Sequence, residues 1–289
     1  MQANLYAFAA IALWASLAAL GVALRHVPPF LLTGITLMVG SVLAWPMVAR
    51  WPKLWKIAPS SLGLGVFTLF GFHFLLFIAL RLAPAVEVNL VNYLWPLFIV
   101  IMSPLYLPHI RLRAVHVIAA LIGFAGAAIA ILGSRDTAAQ PEGQGWSAAL
   151  GYGLALCSGL IWANYSLQTM RRSALGKGIP TAAIGLFGLL SGLLSLLCHV
   201  VLEPAVVLSL TDWAQLAVLG LGPLGGAFYL WDAALKRGDA RHIGLLSFLT
   251  PLLSTLTLLA VRVQMPSPSV ILAAVMIVGA AVLGTRAAK

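Results

Sequence analysis

Apolar runs of about twenty residues, separated by short polar connections, occupy most of this 289-residue sequence. A run of that length is what an α-helix needs to cross the hydrocarbon core of a bilayer. Of all residues, 62% are hydrophobic and only 8% are charged, whereas soluble domains carry about 25% charged residues. A water-soluble globular fold is therefore excluded, and the sequence predicts an all-α integral membrane protein.

Charged residues, prolines and glycines mark the ends of ten predicted transmembrane helices. These spans cover residues 4–24, 30–49, 60–81, 85–106, 112–133, 147–170, 180–202, 212–236, 240–261 and 267–286. The longest connection, Gly133 to Trp146, is too short to form a soluble domain. We therefore expect the function to lie within the membrane.

Lysine and arginine are divided unequally between the two sides of the predicted bundle. With the N-terminus inside, 13 of the 17 basic residues fall in cytoplasmic segments, and the other four are Arg25, Arg81, Arg135 and Arg262. Cytoplasmic loops carry such an excess, so both termini are predicted to be cytoplasmic. Because the bases are scattered rather than gathered on one face, the net charge of +10 does not indicate a nucleic-acid partner.

An internal repeat relates the two halves of the chain. Residues 79–96, ALRLAPAVEVNLVNYLWP, align without gaps with residues 234–251, ALKRGDARHIGLLSFLTP, at an offset of 155, and LGLG occurs at both 62–65 and 219–222. The pattern predicts two five-helix repeats, residues 1–133 and 147–289, joined by a connecting loop at 134–146. Since five is odd, the second repeat is inverted relative to the first, and the two form a single folding unit.

The sequence resembles the drug/metabolite transporter superfamily with EamA-type repeats. The resemblance rests on the ten helices in two inverted repeats, on the central Trp14 and Trp162, and on the prolines of the fourth and ninth spans. The VNLVNYLWP stretch is most similar to the aromatic amino acid exporters of that superfamily. The resemblance implies a multi-pass exporter of the bacterial inner membrane that takes small amphipathic metabolites, works by alternating access as a monomer or weak homodimer, and uses no cofactor.

Polar and aromatic side chains inside the spans are the candidates for substrate contact, because a polar group in hydrocarbon usually faces a bundle interior or a cavity. Aromatic rings beside amides and hydroxyls suit an aromatic zwitterion, since rings stack and an ammonium group can lie over a ring face. A competing interpretation is that these side chains only pack or join helices. The predicted substrate-binding residues are Trp14, His73, Asn89, Asn92, Tyr93, Trp95, Trp162, Tyr165, Ser247 and Phe248.

Prolines and glycines within the spans predict where the bundle bends and packs. Pro96 and Pro251 each remove one backbone hydrogen bond near mid-membrane, so both are predicted hinges. Glycines of the third, seventh and eighth spans are predicted to be helix-packing surfaces.

Three ionisable residues are candidates for proton coupling, namely His73, Glu87 and Asp232. Each also has a structural interpretation. His73 suits an interhelical hydrogen bond, Glu87 suits the first turn of a helix, and Asp232 suits an ion pair with Lys236 one turn later.

Other classes of function remain as alternatives to an aromatic amino acid exporter: a broad drug or metabolite exporter, a channel or receptor, and an intramembrane enzyme. An enzyme needs a nucleophile and a base, or metal ligands, held together at membrane depth. The nearest residues are Cys157–Ser158–Gly159 and His199, which lie on different spans. The spacing of the two cysteines supports neither a disulfide nor a metal site, so neither catalysis nor a bound metal is expected.

Overall fold

The computed structural model describes residues 2–17, 20, 23–133, 146–261 and 265–287, and every regular element among them is helical. This confirms the all-α class. Nearly all of the predicted connecting loop, 134–146, lies outside the described residues. The α-helices are α1 (Gln2–Ala15), α2 (Pro29–Ser41), α3 (Trp45–Arg50), α4 (Pro59–Leu82), α5 (Ala85–Asn92), α6 (Trp95–Tyr106), α7 (Ala114–Gly133), α8 (Trp146–Ala174), α9 (Ala183–Leu202), α10 (Leu210–Leu221), α11 (Gly226–Leu235), α12 (Ala240–Ser247), α13 (Leu249–Val261) and α14 (Pro268–Ala287).

Six helical segments of the described chain are long and apolar enough to cross a membrane. Each of them falls on a span predicted from the sequence, which indicates a multi-pass membrane protein. The count of ten spans, the orientation and the division into inverted repeats stay predictions. The six segments are Pro29–Arg50, Pro59–Leu82, Ala85–Tyr106, Ala114–Leu132, Ala183–Leu202 and Leu210–Leu235.

The fourth and ninth spans are interrupted at equivalent positions. The first interruption separates α5 from α6 and the second separates α12 from α13, at Tyr93 and Phe248, which are 155 residues apart. The backbone there stays close to helical, with φ −66° and ψ 6° at Tyr93 and φ −66° and ψ −12° at Phe248. Pro96 and Pro251 follow the two interruptions and have no N–H to continue the hydrogen-bond ladder.

The eighth span, which the sequence predicted as one helix over 212–236, is divided in the structure. Helix α10 ends at Leu221, and α11 begins only at Gly226. Between them, Pro223 has no N–H to donate, and Gly225 takes φ −134° and ψ −76°. A Cβ on Gly225 would lie 1.9 Å from the Gly220 carbonyl oxygen, so only glycine fits this break.

The main helix contacts between the two halves are related to each other by the sequence repeat. Helix α2 packs along α9, and α7 packs along α14, so the second span meets the seventh and the fifth meets the tenth. Helix α4 packs on α8 as α11 packs on α1, which pairs the third span with the sixth and the eighth with the first. The packing therefore follows the same offset as the sequence repeat.

Glycines bring several of these helices into backbone contact, as predicted for the seventh and eighth spans. A Cβ on Gly192 of α9 would lie 2.8 Å from the Gly34 carbonyl oxygen of α2. A Cβ on Gly40 of α2 would lie 2.7 Å from the Gly225 Cα. Close approach of this kind is how small residues favour helix association in membranes. Gly63 on the third span is different, because nothing lies within 4 Å of its Cβ position.

A buried carboxylate connects three helices at one end of the bundle. At the end formed by residues 23–28, 83–84 and 203–209, called here the Glu203 end, one carboxylate joins three helices. Glu203, whose side chain has no exposed surface, accepts hydrogen bonds from the Phe30 N–H at 3.0 Å, from Arg81 at 2.9 Å and from His199 at 3.0 Å. It thereby caps α2, whose own N-terminus has no side-chain cap. The opposite end, residues 51–58, 107–113, 175–182 and 236–239, is called the Lys236 end.

The glycine contact between α2 and the break in the eighth span generates a stability prediction. We expect Gly40→Ala to destabilise the purified protein by about 1–3 kcal/mol, because the added methyl group meets backbone atoms that cannot rotate away. The measurement is thermal unfolding in detergent. Gly63→Ala is the matched control and is expected to leave the unfolding temperature unchanged or slightly raised. Equal unfolding temperatures for the two variants would contradict the packing assigned to Gly40.

Candidate functional site

Four tryptophans from four helices meet at the centre of the bundle. They are Trp14 of α1, Trp95 of α6, Trp162 of α8 and Trp231 of α11, and the ring centroids of every pair lie within 6.5 Å. Most pairs meet edge to face or tilted, which aromatic rings prefer to a face-to-face sandwich. The cluster combines helices of both halves of the chain.

A cavity of about 340 Å³ lies beside this tryptophan cluster, within the size range of small-molecule sites. Its lining reaches from Trp95 and Trp162 to Phe77 and Asn89, so the cavity extends from the cluster toward the Glu203 end. The lining residues are Trp14, Leu17, Leu32, Thr33, Phe72, His73, Leu76, Phe77, Asn89, Asn92, Tyr93, Trp95, Trp162, Leu224, Phe228, Thr250 and Ser254.

Seven of the ten predicted substrate-binding residues line this cavity. Tyr165 does not, since it packs behind Trp162 with ring centroids 6.0 Å apart. The seven are Trp14, His73, Asn89, Asn92, Tyr93, Trp95 and Trp162. Their roles in binding stay predictions.

Ser247 and Phe248, predicted from the repeat, lie away from the cavity. The Ser247 hydroxyl donates to the Ile243 carbonyl at 2.8 Å, and the Phe248 ring packs against Gly123 of α7, where a Cβ would lie 2.6 Å from it. The ninth span contributes Thr250 and Ser254 instead. Thr250 lies 155 residues after Trp95. The repeat offset, applied to Trp95, would therefore have identified Thr250 as a lining residue.

A hydrogen-bonded chain fixes Asn92 at the cavity wall. The Asn92 amide donates to the Ser158 hydroxyl at 3.1 Å, and that hydroxyl donates to the Phe72 carbonyl at 3.0 Å. The three residues belong to α5, α8 and α4. A Cβ on the neighbouring Gly159 would lie 2.9 Å from the Asn92 carbonyl oxygen, so α8 covers the carbonyl to which Pro96 cannot donate.

His73 is held by its own helix rather than by the interhelical bond considered from the sequence. Its Nδ1 lies 2.6 Å from the Leu69 carbonyl. A carbonyl only accepts hydrogen bonds, so Nδ1 carries the proton, and Nε2 of the neutral ring is an acceptor. Phe72 and Phe77 flank the imidazole at 5.1 and 5.9 Å.

The two interrupted spans are in contact at the first of the two predicted hinge prolines. Pro96 and Pro251 are both buried in the first turns of α6 and α13. Gly244 of α12 approaches α6 so closely that a Cβ would lie 3.1 Å from the Pro96 carbonyl oxygen. The interrupted segments are thus in direct contact at the level of the first proline.

The cavity is closed toward the Lys236 end by buried side chains. Trp231 is 1% exposed, and its indole N–H donates to the Ser166 hydroxyl at 3.2 Å. The next residue, Asp232, accepts hydrogen bonds from Thr181 at 2.6 Å and from Lys236. The ion pair with Lys236 agrees with the structural interpretation of Asp232, and Glu87 lies in the first turn of α5 as its structural interpretation requires. Neither acid lines the cavity.

The residues considered for catalysis are engaged elsewhere. The Ser158 hydroxyl bonds to Phe72 and Asn92, whereas His199 Nδ1 bonds to Glu203. In the part of the chain that the structure describes, no group of three or more His, Cys, Asp or Glu residues could hold a metal ion.

The chemistry of the cavity wall favours a neutral or zwitterionic molecule with an apolar body. Aromatic and aliphatic side chains predominate, and the polar groups are amides, hydroxyls and one imidazole. No Asp, Glu, Lys or Arg occurs among the described residues of the lining, and burial of a net charge without a partner is costly.

Comparison with known proteins places these features in a family. The model of the EamA-like transporter family matches residues 1–132 and 149–285. The chain is 39% identical over 297 residues to the aromatic amino acid exporter YddG of Ancylobacter novellus, covering 100% of this chain and 98% of that protein. It is 27% identical over 270 residues to the aromatic amino acid exporter YddG of Salmonella typhimurium, covering 88% and 86% of the two chains. One crystal structure superimposes with a TM-score of 0.89 at 37% identity, over 99% of this chain and 98% of the other.

Proposed function

The chain belongs to the EamA-like transporter family, and from this premise we propose that it exports aromatic amino acids across the bacterial inner membrane. The observation that carries the proposal is the central cavity, which joins a cluster of tryptophans to amide, hydroxyl and imidazole groups. An aromatic ring can pack against the tryptophans, while the zwitterionic end faces Asn89, Asn92 and His73. The names of the two relatives point to the same substrate class.

The proposed working unit is ten spans in two inverted repeats, with both termini cytoplasmic. In its support, the family model matches each half of the chain separately, and the helices pack in pairs related by the repeat offset. In this orientation the Lys236 end is cytoplasmic and the Glu203 end is external. The central cavity then extends toward the outside, and the tryptophan cluster closes the cytoplasmic side. A monomer suffices for this arrangement, because both repeats of one chain contribute to the cavity.

Alternating access requires a second arrangement in which the cavity reaches the cytoplasm. The interrupted fourth and ninth spans are the proposed hinges, since both run from the cavity wall into the region where α6 and α12 touch. A helix without one hydrogen bond bends at lower cost than a continuous one.

Proton coupling is a separate hypothesis that rests on His73. It is the one candidate for coupling that lines the cavity, whereas Asp232 is paired with Lys236. A broad exporter of drugs and metabolites is the competing function, because tryptophan faces also attract organic cations. Catalysis has no arrangement of groups to support it among the described residues.

The test of the proposed function is transport by the purified protein in liposomes. We expect saturable phenylalanine and tryptophan flux, competed by tyrosine but weakly by alanine, because only the aromatic side chains reach the tryptophan cluster. Empty liposomes are the control, and an imposed pH gradient that accelerates flux in wild type but not in His73→Gln would support coupling through His73. Absence of aromatic amino acid flux, or equal competition by an organic cation such as tetraphenylphosphonium, would contradict the proposal.

Removal of a central ring should reduce transport. For Trp162→Ala we expect phenylalanine flux per molecule to fall about twofold to tenfold, the range corresponding to an aromatic contact of about 0.5–1.5 kcal/mol. The measurement is initial flux normalised to folded protein in the membrane. Trp213→Ala is the matched control, because Trp213 is 51% exposed and touches no part of the cavity. A loss of flux that only parallels loss of folded protein would show that Trp162 serves packing.

Restoring the missing N–H at the first hinge should slow turnover. In Pro96→Ala the new N–H can donate to the Asn92 carbonyl and join α5 to α6. We expect kcat to fall about twofold to tenfold with KM largely kept, since one net hydrogen bond is worth about 0.5–1.5 kcal/mol. Pro104→Ala, in the interior of the same helix, is the control and should leave kcat unchanged. An unaltered kcat for Pro96→Ala would remove the hinge from the mechanism.

A further inference from the structure

A second cavity of about 370 Å³ lies at the Lys236 end of the bundle. It is enclosed by the end of α6, the last turns of α8 and the connection from α11 to α12. The tryptophan cluster closes the central cavity on this side, so the second cavity lies on the other side of that closure.

The apolar part of the second cavity's lining belongs to the same core as the tryptophan cluster. Leu107, Met170 and Leu235 line it and are 5%, 4% and 1% exposed. All three belong to the same core cluster as Trp162 and Trp231. A layer of packed side chains therefore separates the two cavities along a common path.

The outer part of the second cavity is basic. Lys236, Arg237 and His109 line it, together with the single acid Asp239. Asp239 forms an ion pair with Arg241, since its carboxylate accepts hydrogen bonds from the Arg241 guanidinium at 2.9 and 3.1 Å. Burial raises the pKa of Asp239, but the hydrogen bonds from Arg241 and from the Arg241 and His242 backbone outweigh it and lower the pKa below its ordinary value.

Lys236 and Arg237 differ in how fully their donors are used. The Lys236 ammonium has three acceptors, which are Asp232, the Thr181 hydroxyl and the Ile179 carbonyl, and an ammonium has three N–H groups. Arg237 donates to the Ala233 carbonyl at 3.0 Å and lies 5.4 Å from the centre of the Tyr6 ring. A guanidinium has five N–H donors, so within the described residues Arg237 retains donors for a ligand.

We propose that the second cavity is an entrance site, at which an aromatic amino acid binds through its α-carboxylate to Arg237 while its ring enters the apolar part. This rests on the proposed function and adds a second binding site to it. A carboxylate is the fitting partner because the guanidinium fork binds carboxylates through paired N–H groups. The basic rim disfavours the approach of an ammonium compound without a carboxylate.

The two cavities then recognise different parts of the same substrate. The central cavity has no cationic side chain among its described lining residues, so its wall selects the ring. The entrance site selects the carboxylate before the side chains between the cavities move apart. Arg237 also lies beside Tyr6 of α1, and α1 carries Trp14 of the tryptophan cluster.

The experiment compares Arg237→Gln with Lys53→Gln, an exposed basic residue at the same end that lines neither cavity. The protein carries an N-terminal tag, which lies at the Lys236 end because Tyr6 contacts Arg237. Capture through this tag selects the proteoliposomes in which the Lys236 end faces the outside. Phenylalanine then enters from the Lys236 end. We expect Arg237→Gln to raise KM about threefold to tenfold with kcat kept, as for one charge-assisted hydrogen bond at a partly exposed site.

Inhibition by phenethylamine, which has the ring and the ammonium group but no carboxylate, separates binding from damage to the fold. Its inhibition constant should be no higher for Arg237→Gln than for wild type, since the variant loses one positive charge from the rim, and Arg237→Lys should give an intermediate KM for phenylalanine. An unchanged KM in Arg237→Gln, an equal rise in Lys53→Gln, or an equal loss of phenethylamine inhibition would overturn the entrance site. Absence of phenylalanine flux in wild type would instead overturn the proposed function.

Discussion

A chain in hydrocarbon must satisfy its backbone hydrogen bonds within the protein, and this constraint explains where the structure departs from continuous helices. The breaks between α5 and α6, α10 and α11, and α12 and α13 all occur where other helices cover the backbone. At the first of them, Gly159 leaves room for the Asn92 carbonyl. The first two breaks adjoin the central cavity, through Tyr93 and Leu224, so the cavity and its breaks are parts of one arrangement.

Charge and aromatic area are separated along the bundle. The described ion pairs lie toward its two ends, as in Glu203 with Arg81 and Asp232 with Lys236. Between them, the tryptophan cluster and the amides provide contacts that are individually weak. A transporter needs such contacts, because a substrate bound too tightly in one arrangement is not released in the next.

The sequence located the six segments that are long and apolar enough to cross a membrane, because the bilayer thickness fixes the length of such an apolar run. It also identified Asn89, Asn92 and Tyr93 as candidates that line the cavity, since a polar group within a span usually faces the bundle interior. The repeat aligns Ser247 and Phe248 with Asn92 and Tyr93, but the first two do not line the cavity. Equivalent helix faces meet different neighbours, and Phe248 packs against Gly123 of α7. The contacts of Glu203 could not be predicted either, since they join residues up to 173 positions apart.

The carboxylate of Glu203 also determines which helices can move independently. It bonds at once to the first turn of α2, to the end of α4 and to the last turn of α9. Displacement of one of these helices relative to the others would leave a buried charge without donors, which is costly. The three helices are therefore tied together at that end, so a separation of these helices at the Lys236 end must pivot about this carboxylate if its hydrogen bonds are to be kept.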